Sequence, residues 1–322
     1  MIAPAHLTGA RLDRAYSPSH LVPSLRHYLD EYAALSARAR RASGVRTGLR
    51  YGPGSAEKLD FWPARPAPAP VQIFVHGGNW QELTERSSAF AALAFRRAGA
   101  AFAAVGYGLA PATPLDEIVA AVRRCVRWIH ENADDLGVDP RRIHLSGTSA
   151  GAHLAAMALV PAGPGEPAAA GLLAGATLLS GIYDLEPVSR SYVNEALRLD
   201  ADAVRRNSPP DLLPDELPPV VLARGGVETE EYVRQHDLMA EALRRRGALT
   251  ANVVEARRNH FDLPYDLADR ATPLGRAVLA QMRLPPRRDD RERTERRRSA
   301  VRSWHRCGSP TAGTTATTPP RR

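Results

Sequence analysis

Ser149 lies in "GTSAG" (147–151), a G-x-S-x-G pattern between the apolar run "RIHLS" and the small-residue stretch "AHLAAMAL". A serine hydroxyl at such a spot can act as a nucleophile. The glycines remove Cβ atoms where the chain must turn sharply from strand into helix. The serine is then held in a strained conformation with its oxygen toward a cleft. The N–H of Ala150 is left free at a helix N-terminus, where an oxyanion is stabilised. A small-residue turn that happens to contain serine is the plain alternative, and the strand–turn–helix context favours the nucleophile. A second stretch raises a related question. "HGGNWQE" (76–82) follows the apolar run "VQIFV" and places two adjacent glycines at a strand end. Bare backbone there serves either a tight turn or N–H groups that must reach a substrate.

The elements that must position these residues are legible in the hydrophobic rhythm. "VQIFV", "AFAAV", "RIHLS", "GATLLS" and "PVVLA" are short, mostly apolar runs, and "TANVVEA" (250–256) predicts a last strand. Helical patterns over 87–98, 114–136, 150–160 and 230–247 separate them, and 266–282 forms a last one. Strands without polar alternation are buried on both faces, and alternation with helices implies βαβ units. The expected fold is α/β, an open and mostly parallel sheet with helices on both faces. Upstream, 22–42 predicts a helix, "GLRYG" and "EKLDFWPA" predict strands joined by the turn "GPGS", and 63–70 is a short Pro-Ala linker. In such a sheet the ligand sits outside the carboxyl ends of the strands. "HGGNW" lies at such an end.

The 322 residues suffice for a large core, and the overall charge is +8. That charge is concentrated at the end of the chain. Residues 285–322 carry 11 arginines against 4 acids, which leaves +1 for the remainder. The basic balance therefore does not imply a nucleic-acid partner, and 285–322 is expected to be a disordered basic tail. The domain expectation is an N-terminal extension over 1–20, one α/β domain over 21–284, and the tail. The two cysteines, Cys125 and Cys307, indicate neither a disulfide framework nor a metal cluster. No signal peptide, membrane span, P-loop or dinucleotide fingerprint stands out. A cytoplasmic protein without cofactor or metal is expected.

"HGGNW" resembles the HGG-type oxyanion loop of lipases and esterases. That resemblance implies that the N–H groups of Gly78 and Asn79 join that of Ala150, with His76 orienting the loop. The serine also needs a base. His6, His20, His27 and His305 lie in terminal segments, His130 on a helix face and His144 within a buried strand. His153 points along its helix, away from the elbow. His260, in "RRNHFD" after the last strand, fits the order Ser…acid…His of α/β-hydrolases. The acid must precede it and follow a late strand. Glu228 in "GGVETEEY" is favoured by position, and Asp184 in "SGIYDLEP" competes.

Taken together, "HGGNWQ", "GTSAGAHLAAM", "SGIYDLEPV", "NEALRLD", "RRNSP", "GGVETEEYVRQ" and "NHFD" resemble the kynurenine formamidases (arylformamidases) of the α/β-hydrolase superfamily. The similarity runs from about Tyr16 to about Met282. It implies an α/β-hydrolase fold, hydrolysis of N-formyl-L-kynurenine to L-kynurenine and formate, and a triad of Ser149, Glu228 and His260. The small-molecule substrate would be an aryl formamide, with no nucleic-acid or membrane partner. The chain departs from the family pattern at Asn79, where an aromatic residue is common, and at Glu228, where many members carry Asp. It also has Tyr107-Gly108 where related esterases tend to show Tyr-Asp. Trp80, Tyr107 and Tyr183 adjoin the proposed loops and are the candidates for stacking on the substrate ring, with packing as the plain alternative. A carboxylesterase using the same triad, or a non-catalytic binding protein on this fold, are the rival readings.

Overall fold

A computed structural model describes residues 8–162 and 169–284, so the expectations for the first seven residues and for the tail lie outside the described residues. Eight strands form one sheet: β1 (Arg46–Arg50), β2 (Lys58–Trp62), β3 (Ala69–Val75), β4 (Ala101–Val105), β5 (Val138–Thr148), β6 (Gly175–Leu179), β7 (Val220–Val227) and β8 (Leu249–Asn259). Their order is β1-β2-β4-β3-β5-β6-β7-β8. The β1–β2 and β2–β4 pairs are antiparallel, and every pair from β4 through β3 to β8 is parallel. The α/β-hydrolase expectation is thus met in architecture. The apolar runs read from the sequence are these strands, and the turn "GPGS" lies in the β1–β2 connection.

The burial pattern follows from the position of each strand. All residues of β3, β4 and β6 are buried, whereas the edge strands β1 and β8 alternate or lie open to solvent. Successive residues of one strand feed opposite cores. Val71, Ile73 and Val75 pack into one cluster, and Phe74 into the other. Helix Leu115–Glu131 shows how one face is covered. Its buried residues Leu115, Ile118, Val119, Val122, Cys125, Val126 and Ile129 recur at helical spacing. Burial pushes the Cys125 thiol well up, so this side chain is a packing group rather than a nucleophile. On the other face, helix Pro273–Gln281 contributes Leu274, Val278 and Leu279.

One boundary differs from the sequence expectation. Residues 8–20 pack onto the domain rather than extending away from it. Helix Gly9–Ala15 and a 3-10 turn at Pro18–Leu21 pack onto it. The reason is a set of polar contacts with distant segments, two of them buried. The Tyr16 hydroxyl donates to Glu231 at 2.7 Å. The Thr229 hydroxyl donates to the Ala15 carbonyl at 2.6 Å, and the Tyr192 N–H donates to Asp13 at 2.8 Å. The compact unit runs to Leu284.

Candidate active site

Four strand ends converge on one pocket. Ser149 directly follows β5, Glu228 follows β7, His260 follows β8, and Gly77 lies two residues beyond β3. Their placement is a consequence of register. Val75 pairs with Gly147, which sets the glycine loop beside the serine turn. Val227 pairs with Asn259, so the next residues of the two strands, Glu228 and His260, emerge side by side.

Ser149 has φ 55° and ψ −124°, a region disfavoured for a residue with a Cβ, and helix Ala150–Leu159 starts immediately after it. The strain is held in place by its surroundings. Its N–H donates to the Leu179 carbonyl at 2.9 Å, and its own carbonyl accepts from Ala152 and His153. Gly151 allows the close packing behind the turn: a Cβ there would fall 2.2 Å from the Val75 carbonyl oxygen. As the first residue of the helix, Ala150 has an N–H that precedes the intrahelical ladder.

His260 is 6% exposed, and its Nδ1 lies 3.0 Å from one Glu228 carboxylate oxygen and 3.3 Å from the other. The Glu228 side chain is fully buried and also accepts from the Ser180 hydroxyl at 2.5 Å. Asp184, the competing acid, is turned elsewhere. Its carboxylate pairs with Arg234 at 2.9 Å, and Arg234 is also held by Glu231 at 2.7 Å. Asp184 therefore belongs to the buried network that clamps Tyr16 rather than to the histidine.

The glycine loop answers both questions that its sequence raises, at different residues. Gly78 has φ +95°, and its carbonyl accepts from the N–H groups of Gln81 and Glu82, so it makes the turn. Asn79 follows with φ 50°, a conformation asparagine tolerates well. Gly77 is the residue of close approach, because a Cβ there would lie 2.9 Å from the Thr148 carbonyl oxygen and 3.0 Å from the Ser149 Cβ. The two positions should respond differently to alanine. Gly78→Ala meets both a positive φ and a backbone oxygen of Glu82 at 2.5 Å, so stability and activity should fall together. Gly77→Ala has an ordinary φ and pushes the loop off the serine. It should lower kcat/KM by on the order of 10- to 100-fold per folded molecule, with the smaller loss in melting temperature. Melting and kinetics on the same samples check this, and normal specific activity in Gly77→Ala would refute a role for the loop position.

His76 supports the loop from below. Its Nδ1 lies 2.9 Å from the Gly77 carbonyl oxygen and 3.0 Å from the Tyr107 hydroxyl. His153 is buried within the fold, with Nε2 2.7 Å from the Asn207 carbonyl oxygen and Nδ1 accepting from Trp80. His236, on helix Glu230–Arg245, pairs with Asn252 at 2.7 Å. Burial lowers His76, His144 and His153 to about 4, with Arg142 and Arg283 adding to the effect at His144. An unfolded histidine titrates near 6.5, so between about 4 and 6.5 the unfolded chain binds more protons than the folded one. The stability these neutral histidines contribute is whole above about 6.5 and is lost as pH falls toward 4, by at most about 3 kcal/mol each. Melting should therefore drop steeply from about pH 7 to about pH 4.5. An unchanged melting temperature would contradict burial in the neutral form.

The pocket has a volume of about 250 Å³ and is lined by Ser149 and His260 together with Gly77, Gly78 and Asn79. Its aromatic walls are Tyr16, Tyr32, Tyr192, Tyr232 and Phe261. The three aromatics expected to stack on a substrate are absent from that lining. Trp80 and Tyr183 are fully buried in the core, and Tyr107 is 3% exposed. Trp80 donates to His153 at 3.3 Å. Tyr107 stacks on the His76 ring at 4.1 Å and donates to the His76 carbonyl at 2.7 Å. Tyr183 packs against Gly181. Adjacency in sequence to the loops put these rings beneath the site, where they support it. Of the actual walls, only Phe261 carried a local signal, as the neighbour of His260.

Comparison with known proteins agrees with this geometry. The BD-FAE family model matches residues 60–163. The chain is 31% identical to the kynurenine formamidase of Danio rerio over 83% of its length and 94% of that protein. It is 32% identical to the kynurenine formamidase of Salmo salar over 84% of its length and 95% of that protein. Esterase LipQ of Mycobacterium tuberculosis is 30% identical over 72% of this chain and 61% of that protein. Among solved structures, one from Silicibacter sp. superposes with a TM-score of 0.75 at 28% identity, covering 84% of this chain and 99% of that one. The esterase of Pyrobaculum calidifontis, at 20% identity, shares the fold with a TM-score of 0.63 over 81% of this chain and 93% of that one. A serine at a strained strand–helix turn, a histidine held by a buried carboxylate at the next strand ends, and relatedness over most of the chain lead to one conclusion: this protein is a serine hydrolase that belongs to the kynurenine formamidase-like family of α/β-hydrolases.

Proposed function

We propose that the protein is an arylformamidase that cleaves N-formyl-L-kynurenine to L-kynurenine and formate. The observation that carries the substrate class is the ring of aromatic side chains around the pocket that opens on Ser149 and His260. A flat aryl group gains from such walls by stacking and by burial of apolar surface. Similarity to two kynurenine formamidases over nearly their full length supports the same reading.

In this mechanism the Ser149 oxygen attacks the formyl carbon while its proton passes to the Nε2 of His260. Glu228, against Nδ1, holds the imidazole tautomer and stabilises the imidazolium. The oxyanion accepts hydrogen bonds from the backbone N–H groups of Gly78, Asn79 and Ala150. His260 then gives its proton to the leaving arylamine nitrogen as the C–N bond breaks. Water, deprotonated by His260, attacks the formyl-enzyme and formate departs. An aryl nitrogen spreads its lone pair into the ring, so it leaves more readily than an alkyl amine.

The esterase relative favours a second reading, hydrolysis of small carboxylic esters by the same triad. Both chemistries share every step except the leaving group. Comparing kcat/KM for N-formyl-L-kynurenine and p-nitrophenyl acetate on the purified protein separates them. The formamide is expected to be the better substrate despite its less activated leaving group. Ester turnover with no detectable formamide cleavage would sink the arylformamidase assignment. Failure of a fluorophosphonate probe to label the protein would sink both readings.

A further inference from the structure

Tyr232 sits on the first turn of helix Glu230–Arg245, four residues beyond Glu228, so the element that follows the carboxylate also delivers a phenol to the pocket. The ring is 1% exposed. It meets the His260 ring edge-on, with centroids 4.5 Å apart, and the Tyr16 ring edge-on at 6.4 Å. Its hydroxyl lies beside the Ser149 side chain, short of a well-aligned hydrogen bond, and no other partner among the described residues satisfies it. A buried hydroxyl without a partner costs on the order of 1–3 kcal/mol, so such a group is rarely left where a phenylalanine would pack as well. Burial raises the phenol far above its ordinary range. The group therefore keeps its proton and is able to donate it in a hydrogen bond.

We propose that Tyr232 is a catalytic residue that donates a hydrogen bond to the Ser149 oxygen while negative charge builds there, both as that oxygen attacks and as it is expelled from the acyl-enzyme. The inference rests on Ser149 being the nucleophile. The bond acts in both half-reactions. During acylation the proton leaves the serine oxygen for His260 as the bond to the acyl carbon forms, so that oxygen carries partial negative charge in the transition state and the phenol stabilises it. During deacylation, water adds to the acyl carbon and its proton passes to His260. The bond between the acyl carbon and the serine oxygen then breaks, its electron pair goes to that oxygen, and His260 returns the proton there. Negative charge builds on the serine oxygen as the bond lengthens, and a phenol beside it stabilises that charge without losing its own proton. A mere packing role would need the ring and not the hydroxyl.

The test compares the full-length protein with Tyr232→Phe, using p-nitrophenyl acetate. Active sites are counted by fluorophosphonate labelling, so rates refer to competent molecules even if the variant folds less well. The acetyl-enzyme is formed, excess ester is removed, and its decay is followed by intact-mass spectrometry. Decay is expected to slow by about tenfold in Tyr232→Phe, the size of effect a single donor gives. In the steady state kcat/KM should fall by a similar factor, because the same oxygen carries charge during its attack. Unchanged decay would overturn the proposal. So would a kcat/KM equal to that of the parent, because it would leave the attack of the serine oxygen unaffected. If no acetyl group is found on Ser149 in either protein, the nucleophile assignment itself has failed, an outcome distinct from normal acetylation with unaltered decay.

Discussion

Ser149→Ala is expected to remove hydrolysis of both formamide and ester, by several orders of magnitude in kcat, while the fold survives. The change deletes one hydroxyl. The backbone keeps the same unfavourable φ of 55°, and the contacts that impose it come from the main chain: the Ser149 N–H on Leu179 and the Ser149 carbonyl under Ala152 and His153. Nothing that holds the turn is lost, so melting should move by no more than a degree or two. If the proposed aryl formamide is the substrate, the variant should still bind it, because the aromatic walls are untouched. Residual turnover above about a tenth of the parent, well outside the range for loss of a triad member, would show that another group is the nucleophile.

Glu228→Gln should produce the second largest loss, on the order of 100- to 10,000-fold in kcat. The amide fits the same space. It removes the charge that stabilises the imidazolium, and it can present an N–H where His260 needs an acceptor. Because the Glu228 side chain is fully buried, solvent does not screen the charge or replace it. Asp184→Asn should behave differently. It weakens the pair with Arg234, which still has Glu231, so the expected cost is about 1 kcal/mol of stability with kcat nearly intact. Kinetics and melting on both variants decide the matter. The reverse ranking of kcat losses would assign the acid to the β6 loop.

The amino-acid sequence by itself determined what depends on short spans of chain. Buried parallel strands need nearly unbroken apolar runs, so the strands from β3 to β7 could be read directly. A sharp strand–helix turn needs small residues around Ser149, so the nucleophile candidate was legible as well. A late loop histidine after the last strand singled out His260. Other features were decided only in three dimensions. The choice between Glu228 and Asp184 rests on the pairing of Val227 with Asn259, a register between segments more than thirty residues apart that neither segment encodes alone. The pocket walls are assembled from Tyr16, Tyr32, Tyr192, Tyr232 and Phe261, drawn from both ends and the middle of the chain. Trp80, Tyr107 and Tyr183 went inward because nearness along the chain says nothing about which side of a loop faces solvent. Residues 8–20 joined the domain because the partners of the Tyr16 hydroxyl, the Asp13 carboxylate and the Ala15 carbonyl lie some 180 to 215 residues away. Local spacing dictates conformation, whereas a pocket is a surface made by contacts between distant segments, and those contacts exist only once the chain has folded.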